Sequence, residues 1–437
     1  MPQTSPIYRA FAALARAGLG VVSRFDAKLA RGHRGRIESP AEFTAWAAQH
    51  RDLSRPLIWC HAPSVGEGLQ AQTVLRRIRR DHPDWQLAYT WFSPSAEPWA
   101  ERLDVDVKGY LPYDLAGPVE AVLAALQPQA LVFSKLDLWP ELAVRAAARG
   151  VPVGLIAATV RPGSGRLRWP VRSLLEPGYR SVTAAAAISE EDAARLAQIG
   201  VPRDRIHVTG DPRFDSALER VQQTSPEDPL LRFGIGAPAL VAGSTWPGDE
   251  AVLLGAMARV RQRHAEARLI LVPHEPTEHH LQDVERGARA LSLPVPQRSS
   301  TTGASAELLL VDRVGLLATL YGAGTMAYVG GGFHSAGLHS VLEPAAWGRP
   351  VAFGPRWQES RDAALLVDAG GAAPIAAEST TEAIAQLAGT WGRWLDDPAR
   401  RAVQGAMALG LVTSGLGAAD RAADLVEQLV LAGSPRR

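Results

Sequence analysis

The stretch LIWCHAPSVGEG, residues 57–68, decides the fold class of this chain. Its first residues form an apolar run without the alternation expected of a strand that faces water on one side. Turn-forming residues follow, and a helical pattern continues over 69–80. A buried strand that leads directly into a helix is the unit from which parallel α/β sheets are built.

The same alternation of apolar runs and helices continues outward through the chain. In the first half the predicted strands are 57–61, 86–92, 130–134, 151–157, 182–188 and 206–208, and the predicted helices are 69–80, 118–126, 140–149 and 190–199. In the second half strands are predicted at 239–243, 267–272, 308–311, 326–329 and 350–353. This pattern predicts an α/β protein of two doubly wound, Rossmann-like domains that face a central cleft.

Domain boundaries follow from a polar, proline-containing linker at 222–229. We predict an N-terminal segment over 1–36, a first domain over 37–221 and a second domain over 222–437. A chain of 437 residues is too long for one compact core, which agrees with two domains. The final helical stretch, 418–432, could pack on either half.

Composition excludes some classes of function. The formal net charge is +1, from 46 basic and 45 acidic residues, so the chain lacks the basic field of a nucleic-acid-binding protein. Cys60 is the only cysteine, which excludes an internal disulfide framework and a multi-cysteine metal site. Its apolar neighbours favour a buried strand residue over a nucleophile.

The N-terminal residues form an apolar stripe on a predicted helix. At about 100° per residue, the side chains on the stripe are those of Ile7, Phe11, Leu14, Val21, Val22 and Phe25. Arg9 and Arg16 lie almost opposite, and a basic segment follows up to Arg36. The segment is too interrupted to span a bilayer, which needs about 20 apolar residues. Two interpretations stay open: a helix on an anionic membrane surface, or a helix packed on its own domain.

Glu67 is a candidate catalytic carboxylate because it follows the first strand, in the first turn of a helix. The helix dipole favours its charged form, and a charged carboxylate can act as a general base toward a hydroxyl group. Alternatively, Ser64 and Glu67 have the S-x-x-E spacing of a capping box. The spacing alone favours the cap.

Ser244 and Thr245 lie in a second strand–turn–helix segment, AGSTWPGDE at 242–250. Glycine, hydroxyl groups and free amides at a helix start suit a bound phosphate, and a plain N-cap by either hydroxyl group fits equally well. The segment LVPHE places His274 and Glu275 after another strand. A single histidine in such a loop is more often a polar surface residue than a ligand.

The segments YVGGGFH at 328–334 and GLHSVLEP at 337–344 are the richest in candidate residues. Glycines after a strand allow a ligand to approach the backbone closely. Glu343 is four residues after His339, so the two share a helix face if both are helical, and the carboxylate could bind ribose hydroxyl groups. A solvated helix face is an equally good interpretation. The H-E-x-x-H, Walker A and G-x-G-x-x-G patterns do not occur here or at the start of either half, which disfavours a zinc site, an ATPase and a dehydrogenase.

Taken together, six ordered blocks resemble the 3-deoxy-D-manno-octulosonic acid (Kdo) transferases of lipopolysaccharide synthesis. They are HAPSVGEG at 61–68, LDLWP at 136–140, TGDPRFD at 209–215, AGSTWPGDE at 242–250, LVPHE at 271–275 and GLHSVLEPAAWGRPVAFGP at 337–355. The blocks cover nearly the whole chain, and their shared order is more specific than any one block. The STWP, PHE and GDxRFD spellings look most like the Bacteroidetes-type version.

The resemblance implies a GT-B fold and an inverting transfer of Kdo from CMP-Kdo to a hydroxyl group of a lipid A precursor, lipid IVA, without a metal or other cofactor. It implies a peripheral protein on the anionic surface at the cytoplasmic face of the bacterial inner membrane. Glu67 matches the family's general base, which favours the base over the cap. The residues that match substrate-binding positions are Ser64, Gly66, Asp137, Ser244, Thr245, His274, Glu275, Gly315, Leu316, Leu317, His339, Ser340 and Glu343.

Several positions depart from the family pattern. Ser340 stands where the family has asparagine, Asp137 where it has glutamate, and Leu316 where glutamate is common; LVPHE lacks a usual arginine. These departures leave open whether the sugar is Kdo or a related ulosonic acid. The alternatives are another GT-B enzyme that uses a different nucleotide sugar, such as a UDP-sugar, and a catalytically weakened membrane-bound paralogue.

Overall fold

The structure, a computed structural model, describes residues 4–301 and 306–433 of the chain. The described residues form two compact units. The first unit runs to Ser216 and takes up the chain again from Leu416, and the second unit is Ala217–Gly415. Each unit is an α/β layer structure around one parallel sheet, as the sequence predicts.

The first unit contains seven strands and the helices that cover them. The strands are β1 (Leu57–His61), β2 (Gln86–Trp91), β3 (Val107–Tyr110), β4 (Ala130–Ser134), β5 (Val153–Ala158), β6 (Val182–Ala187) and β7 (Ile206–Val208). The helices are α1 (Pro6–Val22), α2 (Ala27–His50), α3 (Val65–Asp81), α4 (Glu97–Ala100), α5 (Ala116–Leu126), α6 (Pro140–Ala148), α7 (Val171–Arg180) and α8 (Glu190–Ile199). Helix α9 (Pro212–Gln223) contains the boundary between the units.

The burial of both faces of the central strand β1 explains the continuous apolar run at 57–60. Leu57 and Trp59 face one core with α2, whereas Ile58 and Cys60 face a second core with α3. Both faces of the strand are therefore buried, as expected for a parallel sheet covered by helices. The strand order is β3-β2-β1-β4-β5-β6-β7, so the order reverses between β1 and β4. Ligands of doubly wound sheets bind at the carboxyl ends of strands at such a switch point.

The second unit repeats this architecture. Its strands are β8 (Ala239–Thr245), β9 (Arg268–Pro273), β10 (Gln297–Arg298), β11 (Leu308–Leu310), β12 (Met326–Val329), β13 (Val351–Phe353) and β14 (Ala372–Pro374). Its helices are α10 (Pro247–Val260), α11 (Glu278–Ala290), α12 (Leu317–Ala323), α13 (Leu342–Ala346), α14 (Arg361–Asp368), α15 (Thr380–Asp396) and α16 (Pro398–Ser414). The parallel strand order is β10-β11-β9-β8-β12-β13-β14, which puts the switch point between β8 and β12.

The last helix, α17 (Ala418–Gly433), belongs to the first unit and not to the second domain, where the sequence places it. Asp215 fixes its start by accepting hydrogen bonds from the amides of Gly417 and Ala419, at 2.8 and 3.0 Å. By length and composition alone, residues 398–432 could cross a membrane. In the structure they form two helices, and Val426 of α17 lies in the core of the first unit.

The N-terminal segment is also more integrated than the predicted boundary at residue 36. Helix α2 continues through this boundary, and Arg36 is buried with its guanidinium 3.8 Å from the centre of the Phe92 ring. Helix α1 is attached through Tyr8, whose hydroxyl donates to Asp114 at 2.5 Å. The apolar stripe itself stays uncovered, because its six side chains are 50 to 85% exposed. Helix α1 is thus held on its own domain by its other face, its stripe is not packed there, and the membrane-surface interpretation stays a prediction.

Candidate functional site

Glu67 lies at the switch point of the first sheet, in the first turn of α3. The predicted capping box is wrong, because Ser64 occupies the N-cap position but its side chain bonds to no backbone amide there. The Ser64 hydroxyl instead donates to the Glu67 carboxylate. Gly66, beside them, is exposed. The Ser64 side chain therefore fixes the orientation of the carboxylate and does not cap the start of the helix.

Lys135 is the second charged group at this switch point, and the sequence analysis did not single it out. Its Nζ lies 2.7 Å from Oε1 of Glu67. Lys135 directly follows β4 and has φ +59°, in the left-handed region that non-glycine residues rarely occupy. Such backbone strain is concentrated at functional sites. The hydroxyl of Ser134 adds a hydrogen bond of 3.0 Å to the carbonyl oxygen of Glu67.

These contacts determine the charge of Glu67. Burial raises the pKa of a carboxyl group, but the charge and hydrogen bond of Lys135 and the hydrogen bond of Ser64 outweigh burial here. The pKa of Glu67 is therefore below its ordinary value. At neutral pH the group is a carboxylate with one oxygen on an ammonium and the other on a hydroxyl group.

Asp137 forms a second polar cluster after β4. Its carboxylate lies 3.5 Å from Nε2 of the buried His61 and 3.7 Å from the guanidinium of Arg166. Trp139 Nε1 lies 3.3 Å from the same His61 nitrogen, and Thr90 Oγ1 lies 3.1 Å from His61 Nδ1. Burial raises the pKa of Asp137, but its interactions with His61 and Arg166 lower it overall. Asp137 is thus a charged group whose position is fixed by buried neighbours.

In the second unit, Ser244 and Thr245 end strand β8 at the switch point. An N-cap by either residue is wrong, because the residue at the N-cap position of α10 is Trp246. Ser244 has φ +53°, and Thr245 Oγ1 donates to Oε1 of Glu250 at 2.9 Å. Oε2 of Glu250 lies 2.9 Å from Nε2 of His280. The orientation of Thr245 is therefore set by a buried relay of side chains.

Trp246 holds three histidines together in an arrangement that we call the Trp246 stack. Its ring stacks on His334 at 3.9 Å and on His274 at 4.8 Å between ring centres. His274 lies 4.6 Å from His339, and Nε1 of Trp246 donates to Nε2 of His339 at 3.3 Å. Burial, with His274 and His334 nearby, lowers the pKa of His339 to about 4. His339 is therefore neutral at pH 7, with its free proton on Nδ1.

The glycine-rich turn after β12 approaches the end of β8 very closely. A Cβ on Gly330 would lie 2.3 Å from the carbonyl oxygen of Ser244, so only glycine fits. Asp249 ties this turn to the start of α10: its Oδ2 accepts from the amides of Gly331 at 2.9 Å and Trp246 at 3.0 Å. The switch point of the second unit is thus lined by backbone.

Gly315, Leu316 and Leu317 form the approach to α12, and Gly315 has φ +86°. A Cβ on Gly243 of β8 would lie 2.5 Å from Leu317 and 2.2 Å from the hydroxyl of Tyr321. The structure therefore brings this predicted donor loop next to the strand that carries Ser244 and Thr245.

One interpretation of the sequence places Glu343 on a solvated helix face. The structure contradicts it. The side chain of Glu343 is 24% exposed and pairs with Arg220, a residue that the sequence analysis did not single out. Burial raises the pKa of Glu343, and Arg220 opposes that shift. His339 precedes the helix that contains Glu343, so the two do not share a helix face. Ser340 accepts a hydrogen bond of 3.4 Å from the amide of Leu342, and Glu275 is exposed.

Known structures match this architecture. The UDP-GlcNAc 2-epimerase from Neisseria meningitidis bound to UDP-GlcNAc is 14% identical, with a TM-score of 0.60 over 86% of this chain and 99% of that chain. A glycosyltransferase from Rickettsia africae is 12% identical, with a TM-score of 0.59 over 86% of this chain and 98% of that chain. Two seven-stranded parallel sheets, each with polar groups at its switch point, define the GT-B class of protein.

Comparison of the amino-acid sequence with known proteins shows which GT-B proteins this chain resembles in sequence. Residues 33–216 match the family model described as 3-deoxy-D-manno-octulosonic-acid transferase (kdotransferase). The Kdo transferase of Bordetella pertussis is 29% identical over 91% of this chain and 92% of its own length. That of Aquifex aeolicus is 26% identical over 76% of this chain and 84% of its own length. The chain is therefore similar to Kdo transferases over most of its length, which confirms the resemblance that its motifs predict. The roles of the individual site residues stay predictions.

Proposed function

We propose that the chain transfers Kdo from CMP-Kdo to a hydroxyl group of a lipid A precursor in lipopolysaccharide biosynthesis. The observation that carries this proposal is the Glu67 carboxylate, held in its charged form at a switch point by Lys135 and Ser64. A general base for a sugar or lipid hydroxyl group needs this state and this accessibility. Glu67 keeps about a sixth of its side chain in contact with solvent, with 17% exposed.

In the proposed reaction, an oxygen of the acceptor attacks the anomeric carbon of Kdo while its proton passes to Glu67. The bond between the anomeric carbon and the phosphate oxygen breaks, and CMP leaves with the electron pair. Attack from the face opposite the leaving group inverts the anomeric configuration. Negative charge then grows on the phosphate, and preorganised hydrogen-bond donors stabilise such charge.

Those donors would come from the second unit. The switch point between β8 and β12 offers the Ser244 hydroxyl group, and the first turn of α12 adds amides that have no partner within the helix. Helix starts and exposed amides suit a phosphate. Glu343 would accept hydrogen bonds from the ribose hydroxyl groups, with Arg220 holding its carboxylate. The Trp246 stack supplies flat faces and imidazole nitrogens to the same region.

We also propose that the protein lies on the anionic surface at the cytoplasmic face of the bacterial inner membrane. The exposed apolar stripe of α1, backed by arginines, has the pattern of a helix that lies in a lipid interface. A location at the membrane would bring the general base Glu67 close to a lipid acceptor.

The donor nucleotide is tested by thermal unfolding with CMP, UDP or neither. A ligand that binds the folded protein raises the unfolding temperature, and 100 times its Kd stabilises the protein by about 2.7 kcal/mol. We expect CMP to stabilise the wild type, UDP to have a much smaller effect, and Glu343→Gln to weaken the CMP effect. Stabilisation by UDP but not by CMP would instead support a UDP-sugar enzyme of the same fold.

A further inference from the structure

A basic loop with an exposed tryptophan follows strand β5. This basic loop, residues 161–172, has the sequence RPGSGRLRWPVR. Trp169 is 81% exposed, and Val171 beside it is also exposed. Tryptophan is enriched at binding interfaces and in membrane-interface belts, because its ring is apolar and its N–H is polar, so Trp169 beside Val171 marks this loop as a candidate contact surface.

The charge of the basic loop is of one sign. Its four arginines are Arg161, Arg166, Arg168 and Arg172, and residues 160–175 include no aspartate or glutamate. Arg166 faces Asp137 at 3.7 Å. The other three are exposed, and within 4–301 and 306–433 no ion pair neutralises them. The loop therefore presents an indole ring between uncompensated guanidinium groups.

The basic loop and the apolar stripe of α1 are attached to the same helix. Thr4 donates to Glu141 at the start of α6, and Arg9 pairs with the same carboxylate at 3.1 Å. Helix α7, which continues from the basic loop, packs on α6, where a Cβ on Gly178 would lie 2.9 Å from Cα of Pro140. Pro140 and Glu141 are neighbours, so both segments are anchored at the first turn of α6.

We propose that the basic loop is a second membrane-contacting segment, in which Trp169 enters the headgroup region of an anionic phospholipid bilayer and the exposed arginines pair with lipid phosphates. Tryptophan is enriched at membrane–water interfaces because it combines an apolar ring with one hydrogen-bond donor. Clustered arginines near such a surface are attracted to anionic headgroups. The inference rests on the proposed membrane-bound acceptor, and it adds the surface that orients the first unit.

A phospholipid surface fits this loop better than a nucleic acid or an acidic protein. The net charge of the chain is +1, so the attraction is local to the loop and not a property of the whole molecule. An indole and a valine between arginines need a partner with an anionic layer above an apolar one. Arg166 of the loop pairs with Asp137, which belongs to the cluster around His61. Lipid contact at the loop would therefore place the acceptor side of the first unit at the bilayer.

The single cysteine makes a clean labelling experiment possible. Cys60 is buried, and burial raises the pKa of its thiol to about 12, so it will not react with a thiol-directed dye in the folded protein. Trp169→Cys, Phe11→Cys and Leu53→Cys, each labelled with the environment-sensitive dye NBD, report on the basic loop, on α1 and on a control position. Leu53 is exposed and follows Asp52, whose amide donates to Gln86 at the start of β2, at the amino-terminal edge of the sheet. The basic loop follows the opposite edge.

With phosphatidylglycerol vesicles we expect the dye at 169 to brighten several-fold and shift to the blue, the dye at 11 to do the same, and the dye at 53 to stay unchanged. Neutral phosphatidylcholine vesicles should give a much weaker response at 169. Arg168→Gln with Arg172→Gln, in an otherwise wild-type protein, should weaken binding to phosphatidylglycerol about tenfold and leave the unfolding temperature unchanged.

The outcomes separate this inference from the proposed function. A dye at 169 that stays in water while the dye at 11 responds would overturn the inference and leave the membrane role of α1 intact. An unchanged fluorescence of the dye at both 11 and 169 would overturn the proposed membrane location as well. An equal response to neutral and anionic vesicles would overturn the role assigned to the arginines.

Discussion

Glu67 is the residue on which the proposed chemistry depends most. Glu67→Gln keeps the size of the side chain and its contact with Ser64 but removes the base, because an amide does not accept the proton. We expect kcat to fall on the order of 10² to 10⁴-fold, the usual contribution of general base catalysis. The unfolding temperature and the stabilisation by CMP should stay near wild type. Turnover that is unchanged in this variant would remove Glu67 from the mechanism.

Lys135 gives a prediction about pH. Its charge and hydrogen bond lower the pKa of Glu67 against burial, so the wild-type base stays charged to a lower pH. Lys135→Met removes the larger of the two influences that lower the pKa of Glu67 and leaves the Ser64 hydrogen bond against burial, so the pKa rises. The acidic limb of the profile of kcat/KM against pH should therefore move to higher pH, with activity retained well above the limb. This profile is measured with saturating donor and limiting acceptor.

Lys135→Arg is the matched control, because it keeps a positive charge beside Glu67. Its acidic limb should stay close to that of the wild type. A uniform loss of activity in Lys135→Met, with the limb in its original place, would show that the lysine only supports the fold of the loop.

At the same scale, the sequence could find Glu67, Ser244 and Thr245 but not Lys135. The first three follow apolar strands and precede helices, which is a local pattern. The contact of Lys135 with Glu67 arises because β4 lies next to β1, and 68 residues separate the two side chains. Arg220 of α9 and Glu343 of α13 are 123 residues apart in the sequence. Contacts of this kind depend on how distant elements pack together, which a local sequence pattern does not report.

At the scale of elements, α1 is predicted to act through its exposed stripe. Phe11→Ser with Leu14→Ser removes two apolar side chains that α1 leaves exposed. Burying each in lipid would contribute about 1.5–3 kcal/mol, so activity on vesicle-embedded acceptor should fall at least about tenfold. Activity on detergent-dispersed acceptor should hardly change. Val295→Ser, which removes an exposed apolar side chain of the second unit, is the control; equal losses in both assays would argue against a role at the membrane.

The close approach of β8 and the turn after β12 gives a prediction about stability. In Gly330→Ala the new Cβ would lie 2.3 Å from the carbonyl oxygen of Ser244 and 2.7 Å from Cα of Thr245, so backbone must move. We expect the free energy of unfolding in urea to fall by about 1–3 kcal/mol, and CMP binding to weaken.

Gly392→Ala is the control for this substitution, because nothing lies within 4 Å of its new Cβ in the interior of α15. There alanine should stabilise the protein by about 0.5–1 kcal/mol, since it loses less conformational freedom than glycine in a helix. A Gly330→Ala variant as stable as the wild type would show that the turn has room to relax.

The predicted strands all occur, whereas β3, β10 and β14 were missed. Strand β3 contains Lys108 and Gly109, β10 has two residues, and β14 ends in Pro374, so none has an apolar run long enough to stand out. Helix α17 was placed in the wrong domain because its anchor, Asp215, lies 202 residues before Gly417. Local pattern predicts an element, and only long-range contacts assign it to a unit.

At the scale of the whole molecule, the order of six motif blocks predicted both the fold and the similarity to Kdo transferases. Each block lies at a strand end or a helix start, where the backbone needs particular residues and a ligand needs particular groups. The departures at Ser340, Asp137 and Leu316 lie in the segments just before α13, α6 and α12, and all three helices form. The fold therefore tolerates them, and the identity of the sugar depends on a direct measurement.

That measurement is transfer in vitro, with CMP-Kdo generated in situ, a tetraacylated lipid A precursor as acceptor, and mass spectrometry of the product. We expect the acceptor to gain the mass of one or more Kdo residues with wild-type protein, and Glu67→Gln to give no such gain. An acceptor whose mass does not change, in a preparation that CMP stabilises against unfolding, would contradict the proposed reaction and point to another ulosonic acid or acceptor on the same fold.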